Sequence, residues 1–133
     1  MVIRRTEDMI AKMAPERLEG LFAFATSDDD ALVRQAVATI REAEGLSLIL
    51  PLDVAQRVGL DVSQPMACLT LNVVSALDGV GLTADVATAL ACENIACNMV
   101  AGHHHDHAFV PANDADRALS VLHMRAAAEV PDV

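Results

Sequence analysis

The densest group of reactive side chains is the run His103-His104-His105-Asp106-His107. Imidazole nitrogens and a carboxylate are common ligands of zinc and other transition metals. One reading is therefore a small metal-binding protein, or a metal-dependent enzyme, built on the His103 to His107 cluster. The HxHxDH spacing of metallo-β-lactamase-like hydrolases is not met, because no residue separates His105 from Asp106. In an extended strand His103, His105 and His107 share a face, but a turn centred near residues 104–106 breaks that alignment. A polar hairpin tip uses the same residues without a metal: Asp106 favours the turn and one imidazole lines a neighbouring pocket.

A second group is the loop Ser75-Ala76-Leu77-Asp78-Gly79-Val80-Gly81-Leu82, with Asn98 expected beside it. Its two glycines open backbone conformations closed to other residues and let a ligand approach the main chain. Where such a loop runs into a helix, the first amide N–H groups point outward with partial positive charge and can hold a carboxylate. Asn98 offers a donor and an acceptor, and Asp78 is a partner for an ammonium group. The alternative is a tight strand-to-helix connection in which Asn98 satisfies local backbone. A third group, Arg41, Glu42 and Glu44, is a charged turn that is either solvated or reaches toward that loop. No catalytic machinery is recognisable. Ser27, Ser47, Ser63, Ser75 and Ser120 lie in no nucleophile elbow, and Lys12, the only lysine, follows no phosphate-binding loop, so a non-enzyme is expected.

These groups need elements to position them. From Met66 to Val74, Leu69, Leu71 and Val73 alternate with Cys68, Thr70 and Asn72, the period of a half-buried strand. A helix follows, with Thr83 as N-cap and Leu82, Val86, Ala89, Leu90 and Glu93 at helical spacing. Ile95 to Ala101 and His107 to Pro111 then form a hairpin through Gly102 to Asp106. A last helix is capped by Asn113, with Ala115, Leu119, Leu122 and Ala126 as its buried stripe.

Ahead of this block, Thr6 to Met13 reads as a short helix ending near Pro15, and Leu21 to Thr26 as a strand. Ser27 to Asp30 is a polar turn leading at most into one helical turn. Val37 to Glu42 and Leu46 to Leu50 are strands, Pro51 starts a helix that stops at Gly59, and Asp61 to Pro65 is a linker. The first half lacks room for a normal helix after its first strand, and the second lacks a final strand. Each half therefore needs completion from outside itself.

The segments Arg41-Glu42-Ala43-Glu44-Gly45-Leu46-Ser47-Leu48, Val80 to Leu90 and Cys97 to Pro111 resemble a family of small bacterial ACT-domain proteins. Where those relatives carry a Tyr pair before His-Asp-His, this chain has His103 and His104. The resemblance implies an α+β, ferredoxin-like fold of two ACT-like halves, with antiparallel sheets and helices packed on one face. The expected division is an N-terminal ACT-like half at 1–63 and a C-terminal ACT-like domain at 64–133. It further implies kinship with the regulatory end of aspartate kinases and with amino-acid sensors. The implied role is a regulatory protein binding a small molecule, an amino acid among the candidates. The ligand residues would then be Ser75, Leu77, Asp78, Gly79, Val80, Gly81, Leu82 and Asn98.

Composition narrows the partners. Among 133 residues, 53% are hydrophobic and 2% aromatic, so Leu, Val, Ala and Met must fill the core. The net charge of −10, from 9 basic and 19 acidic residues, repels phosphate backbones and anionic lipid. Nucleic acid and membrane are not expected partners. No apolar run approaches the ~20 residues of a membrane span, and Met1 to Met13 lacks a secretory core, so a cytoplasmic location is expected. Cys68, Cys92 and Cys97 show no CxxC spacing and read as reduced packing residues. No cofactor is implied, and strand edges in need of cover point to a homodimer.

Overall fold

The computed structural model describes residues 2, 3 and 5–129; the outermost residues of the expected halves, 1 and 133, lie outside these. In chain order the elements are α1 (Thr6–Ala11), β1 (Pro15–Arg17), β2 (Phe22–Thr26), α2 (Asp30–Gln35), β3 (Ala38–Glu42), β4 (Gly45–Pro51) and α3 (Leu52–Arg57). They continue with β5 (Met66–Leu71), α4 (Leu82–Cys92), β6 (Asn98–Ala101), β7 (Asp106–Pro111), a 3-10 turn (Ala112–Asp114) and α5 (Ala115–Ala128). Two compact units result. One is Glu19–Ala67; the other joins the chain up to Leu18 with the chain from Cys68 onward.

In the Glu19–Ala67 unit, β2 lies between β4 and the start of β5, and β3 flanks β4. The strands pair antiparallel: Ala23 faces Leu50, Ala38 faces Ile49, and Phe22 faces Met66. Alternate residues Ala23, Leu48 and Leu50 turn one sheet face onto Leu32 of α2 and Val54 and Ala55 of α3. The sequence allows only a helical turn after Ser27 to Asp30, yet a six-residue helix forms there. The Asp29 carboxylate accepts from the amides of Ala31 and Leu32 at 2.9 and 3.2 Å, and Leu32 is buried. Capping and core packing sustain a helix too short to persist alone.

The other unit has the strand order β1-β5-β7-β6. Its final strand is β1, which pairs antiparallel with β5 from Pro15 opposite Leu71 to Arg17 opposite Leu69. Flanking bonds extend the seam: the Leu18 amide donates to Cys68 O at 2.9 Å and Asn72 Nδ2 to Ala14 O at 3.0 Å. The strand missing from the C-terminal half thus comes from the N-terminal segment. Pro-Glu-Arg carries no alternation by which to read it as a strand.

Three expected details change. The alternation in β5 suggests a half-buried strand, but Ala67 through Leu71 are all buried. Cys68 and Thr70 are small enough for a covered face, and the Thr70 hydroxyl lies 2.9 Å from His107 Nδ1, so its burial leaves no orphan. Thr83 does not cap α4; Gly81 occupies the N-cap with φ +110°. Asn113 does not cap α5 either, because residues 112–114 tighten into the 3-10 turn and Asp114 stands at the cap.

Leu82, Val86 and Leu90 of α4 and Ala115, Ala118 and Leu122 of α5 are buried in this unit, and α1 packs against both helices through Met9 and Ile10. Arg125 of α5 pairs with Asp85 of α4 at 2.9 Å and with Glu129 at 3.0 Å. Among the described residues no helix is long and apolar enough to cross a membrane.

Candidate functional site

The loop between β5 and α4 is fastened from the N-terminal side. Ile3 forms a parallel bridge with Ser75; its amide donates to Val74 O at 2.8 Å and its carbonyl accepts from the Ala76 amide at 3.2 Å. The Thr6 hydroxyl donates to Val80 O. Inside the loop the Gly79 amide donates to Ala76 O at 2.9 Å. A Cβ at Gly79 would stand 3.0 Å from Ala76 O and 3.2 Å from Met9 Sδ, so α1 presses directly on this glycine. At Gly81 a Cβ would stand 2.6 Å from Thr6 Cγ2, and φ is positive, so glycine is required there on both counts.

Opposite the loop is the histidine hairpin. Ala101 pairs with Asp106, and the Gly102 amide closes the turn on His105 O at 2.8 Å. Two longer contacts join hairpin to loop: Ser75 Oγ donates to Asp106 Oδ2 at 3.4 Å, and His105 Nδ1 lies 3.5 Å from Val73 O. Between them lies a partly enclosed cleft of about 150 Å³. Ser75, Thr83, His104, His105 and Asp106 supply its polar side chains; Met9 and Leu82 supply buried apolar wall. The first turn of α4 opens onto it through Leu82 and Thr83, and carries amides without intrahelical acceptors. A carboxylate can meet those amides while an ammonium group meets Asp106.

Of the residues expected to bind a ligand, Ser75, Leu77, Gly79, Gly81 and Leu82 line the cleft. Asp78, Val80 and Asn98 are not part of its wall. Asn98 opens β6 opposite Phe109, whereas the cleft lies at the Ala101 end of that strand. Three residues of strand separate the two by about 10 Å. Met9, Thr83, His104, His105 and Asp106 are wall residues outside that expected set. The hairpin histidines and Asp106 drew attention for metal chemistry; their meeting with the loop depends on strand order, which local pattern does not encode. Met9 is remote in sequence, and nothing in its own segment announces it.

His107 leaves the hairpin for the interior side. Burial lowers its pKa below the ordinary value of 6.5; the neighbouring His105 adds to the lowering and Asp106 opposes it. Its contact with Thr70 separates it from His103 and His104, which are exposed. Among the described residues no three His, Cys, Asp or Glu side chains gather as a metal site. Arg41 and Glu44 are exposed in the Glu19–Ala67 unit, and Glu42 accepts a hydrogen bond from Ser47 of its own hairpin. Cys68 is buried, with its thiol pushed up to about 11 by desolvation, a Thr70 hydrogen bond opposing; Cys97 is raised by burial as well. Cys92, expected to be a packing residue, is exposed near the end of α4.

A strand-completed pair of α+β units with a ligand-sized cleft at a loop–helix junction defines the class, a tandem ACT-domain protein. Family models of the ACT domain match residues 3–67 and 64–124, and the chain belongs to that family. A protein of unknown function from Vibrio cholerae, described as a possible transport protein, is 40% identical over 88% of this chain and 92% of its own, with a TM-score of 0.79. A protein from Agrobacterium tumefaciens is 20% identical over 85% of this chain and 87% of its own, with a TM-score of 0.64. The ligand-free regulatory subunit of aspartate kinase from Thermus thermophilus is 12% identical over 86% of this chain and 97% of its own, with a TM-score of 0.61. The last two likenesses are of fold alone. No curated protein matches. The fold is thus the one ACT regulatory domains use.

Proposed function

We propose that this chain is a non-catalytic regulatory protein that binds an amino acid in the cleft between the Ser75–Leu82 loop and the His103–His107 hairpin. One observation carries the reading: the first turn of α4, through Leu82 and Thr83, and Asp106 line a single cleft of about 150 Å³, below the ~300 Å³ at which drug-sized pockets begin. Opposite partial charges on the walls of one cleft suit a zwitterion. The wall residues Ser75, Leu77, Gly79, Gly81 and Leu82 hold it through backbone and short side chains. Regulation in the manner of the aspartate kinase subunit, a homodimer formed through strand edges such as β3, and a cytoplasmic site of action complete the proposal.

The test is a thermal-shift panel of the standard amino acids on untagged protein, followed by titration calorimetry. Saturation at one hundred times Kd adds about 2.7 kcal/mol to stability, which is readily detected. Asp106→Asn should weaken binding of whichever amino acid is found, because a charge-assisted bond is worth about 1.5–3 kcal/mol. Asn98→Ala should leave binding as it is. A panel without any stabilising amino acid refutes the reading.

A further inference from the structure

We propose that Met9, from helix α1, is the specificity-determining residue of this cleft and restricts its ligand to amino acids with short side chains; this rests on the amino-acid reading above. The cleft has a polar side and an apolar side. Ser75, His104, His105 and Asp106 lie on the loop and hairpin, and the deep apolar wall is Met9, 1% exposed, with Leu82, 4% exposed. Leu77 is 77% exposed and so belongs to the rim. A ligand whose charged groups are held at the polar side directs its side chain inward, onto Met9 and Leu82.

Neither wall residue can retreat easily. Met9 Sδ and Cε would lie 3.2 and 3.4 Å from a Cβ on Gly79, so the thioether is already packed against the loop. The loop is pinned to the same N-terminal segment by Ile3 and Thr6, which fixes the distance between wall and rim. Leu82 is built into the first turn of α4 and moves only with the helix. Met9 differs in that it comes from a helix that precedes the strand completing the sheet, and its unbranched side chain is the removable part of the wall.

The experiment is titration of the untagged protein with glycine, alanine, serine, valine, leucine and phenylalanine, repeated with Met9→Ala and Met9→Val. The parent is expected to bind the small members and to lose at least about tenfold in affinity on passing to leucine, the scale of added methylenes in a closed pocket. Met9→Ala is expected to move that cut-off, gaining about tenfold or more for leucine relative to alanine. Met9→Val gives a smaller change in the same direction and keeps the test open if the alanine variant fails to fold. A parent that binds leucine or phenylalanine as tightly as alanine overturns the inference while leaving amino-acid binding intact. A folded Met9 variant with the parent's size preference does the same. A parent that binds none of these six overturns this inference, and the panel of all standard amino acids decides separately whether the underlying reading falls with it.

Discussion

Replacing Gly81 by alanine isolates the strain with which the loop enters α4. The backbone there has φ +110°, and a left-handed conformation costs a non-glycine residue about 1–2 kcal/mol. The new methyl would also lie 2.6 Å from Thr6 Cγ2, so Thr6 must move and release its bond to Val80 O. Loss of that bond adds about 0.5–1.5 kcal/mol. The single variant should therefore lose roughly 1.5–3.5 kcal/mol, the sum of those two costs. Thr6→Ala alone should lose about 0.5–1.5 kcal/mol. In the double variant the methyl's nearest remaining Thr6 atom is the Cβ at 3.5 Å, ordinary contact. The backbone cost persists, but the bond is not lost twice, so the double variant should fall short of additivity by about 0.5–1.5 kcal/mol. Urea unfolding of the four proteins measures this, with m expected constant. Strict additivity, or a Gly81→Ala variant as stable as the parent, would refute the clasp between the N-terminal segment and the loop.

The remaining predictions concern the interior and the surface. His107 has a folded pKa below its ordinary 6.5, so the unfolded chain takes up its proton first; stability should be full above about pH 6.5, and fall as pH drops from there toward the folded value. His107→Gln should remove that slope in urea titrations between pH 5 and 8, whereas His103→Asn should not. Arg125→Met should destabilise by about 1–2 kcal/mol by leaving the partly buried Asp85 carboxylate without its cation, and adding Asp85→Asn should restore part of the loss. In thiol labelling at pH 8, exposed Cys92 should react first and Cys68, with its thiol near 11, only on unfolding; equal rates for both would contradict the packing of β5.

Elements with their own periodicity were readable: β5, α4 and the β6–β7 hairpin form in the expected order, although β5 ends at Leu71 rather than Val74 and β6 begins at Asn98 rather than Ile95. For the first half the expected incompleteness does not hold, because the short helix α2 forms after its first strand; that of the second half was readable, since element order alone exposes its missing strand. The supplier of that strand was not readable, because Pro15, Glu16 and Arg17 show neither alternation nor β propensity. Their pairing comes from the exposed edge of β5, a tertiary cause. The same holds for the candidate cleft. Gly81 announces a special backbone in the sequence, and the structure uses it. Asn98 lies in the strand that borders the cleft but at the end away from it, which only the register with Phe109 reveals. Met9 carries no local mark of its position because its neighbours there are more than sixty residues away in sequence.

That remoteness has a thermodynamic consequence. The N-terminal segment does two jobs: β1 closes the sheet against β5, and α1, with Ile3 and Thr6, holds the loop and walls the cleft. Docking of α1 and the shape of the cleft are therefore one equilibrium. A ligand that touches Met9 as well as the loop must favour the docked segment by the same factor that docking favours the ligand. The loop's own sequence, with Gly79 and Gly81, supplies little rigidity. The packing that holds the loop comes instead from a helix outside the minimal strand–helix–strand–strand–helix unit. The N-terminal segment thus joins the loop to the sheet: Met9 and Thr6 of α1 hold the loop, and β1 of the same segment pairs with β5.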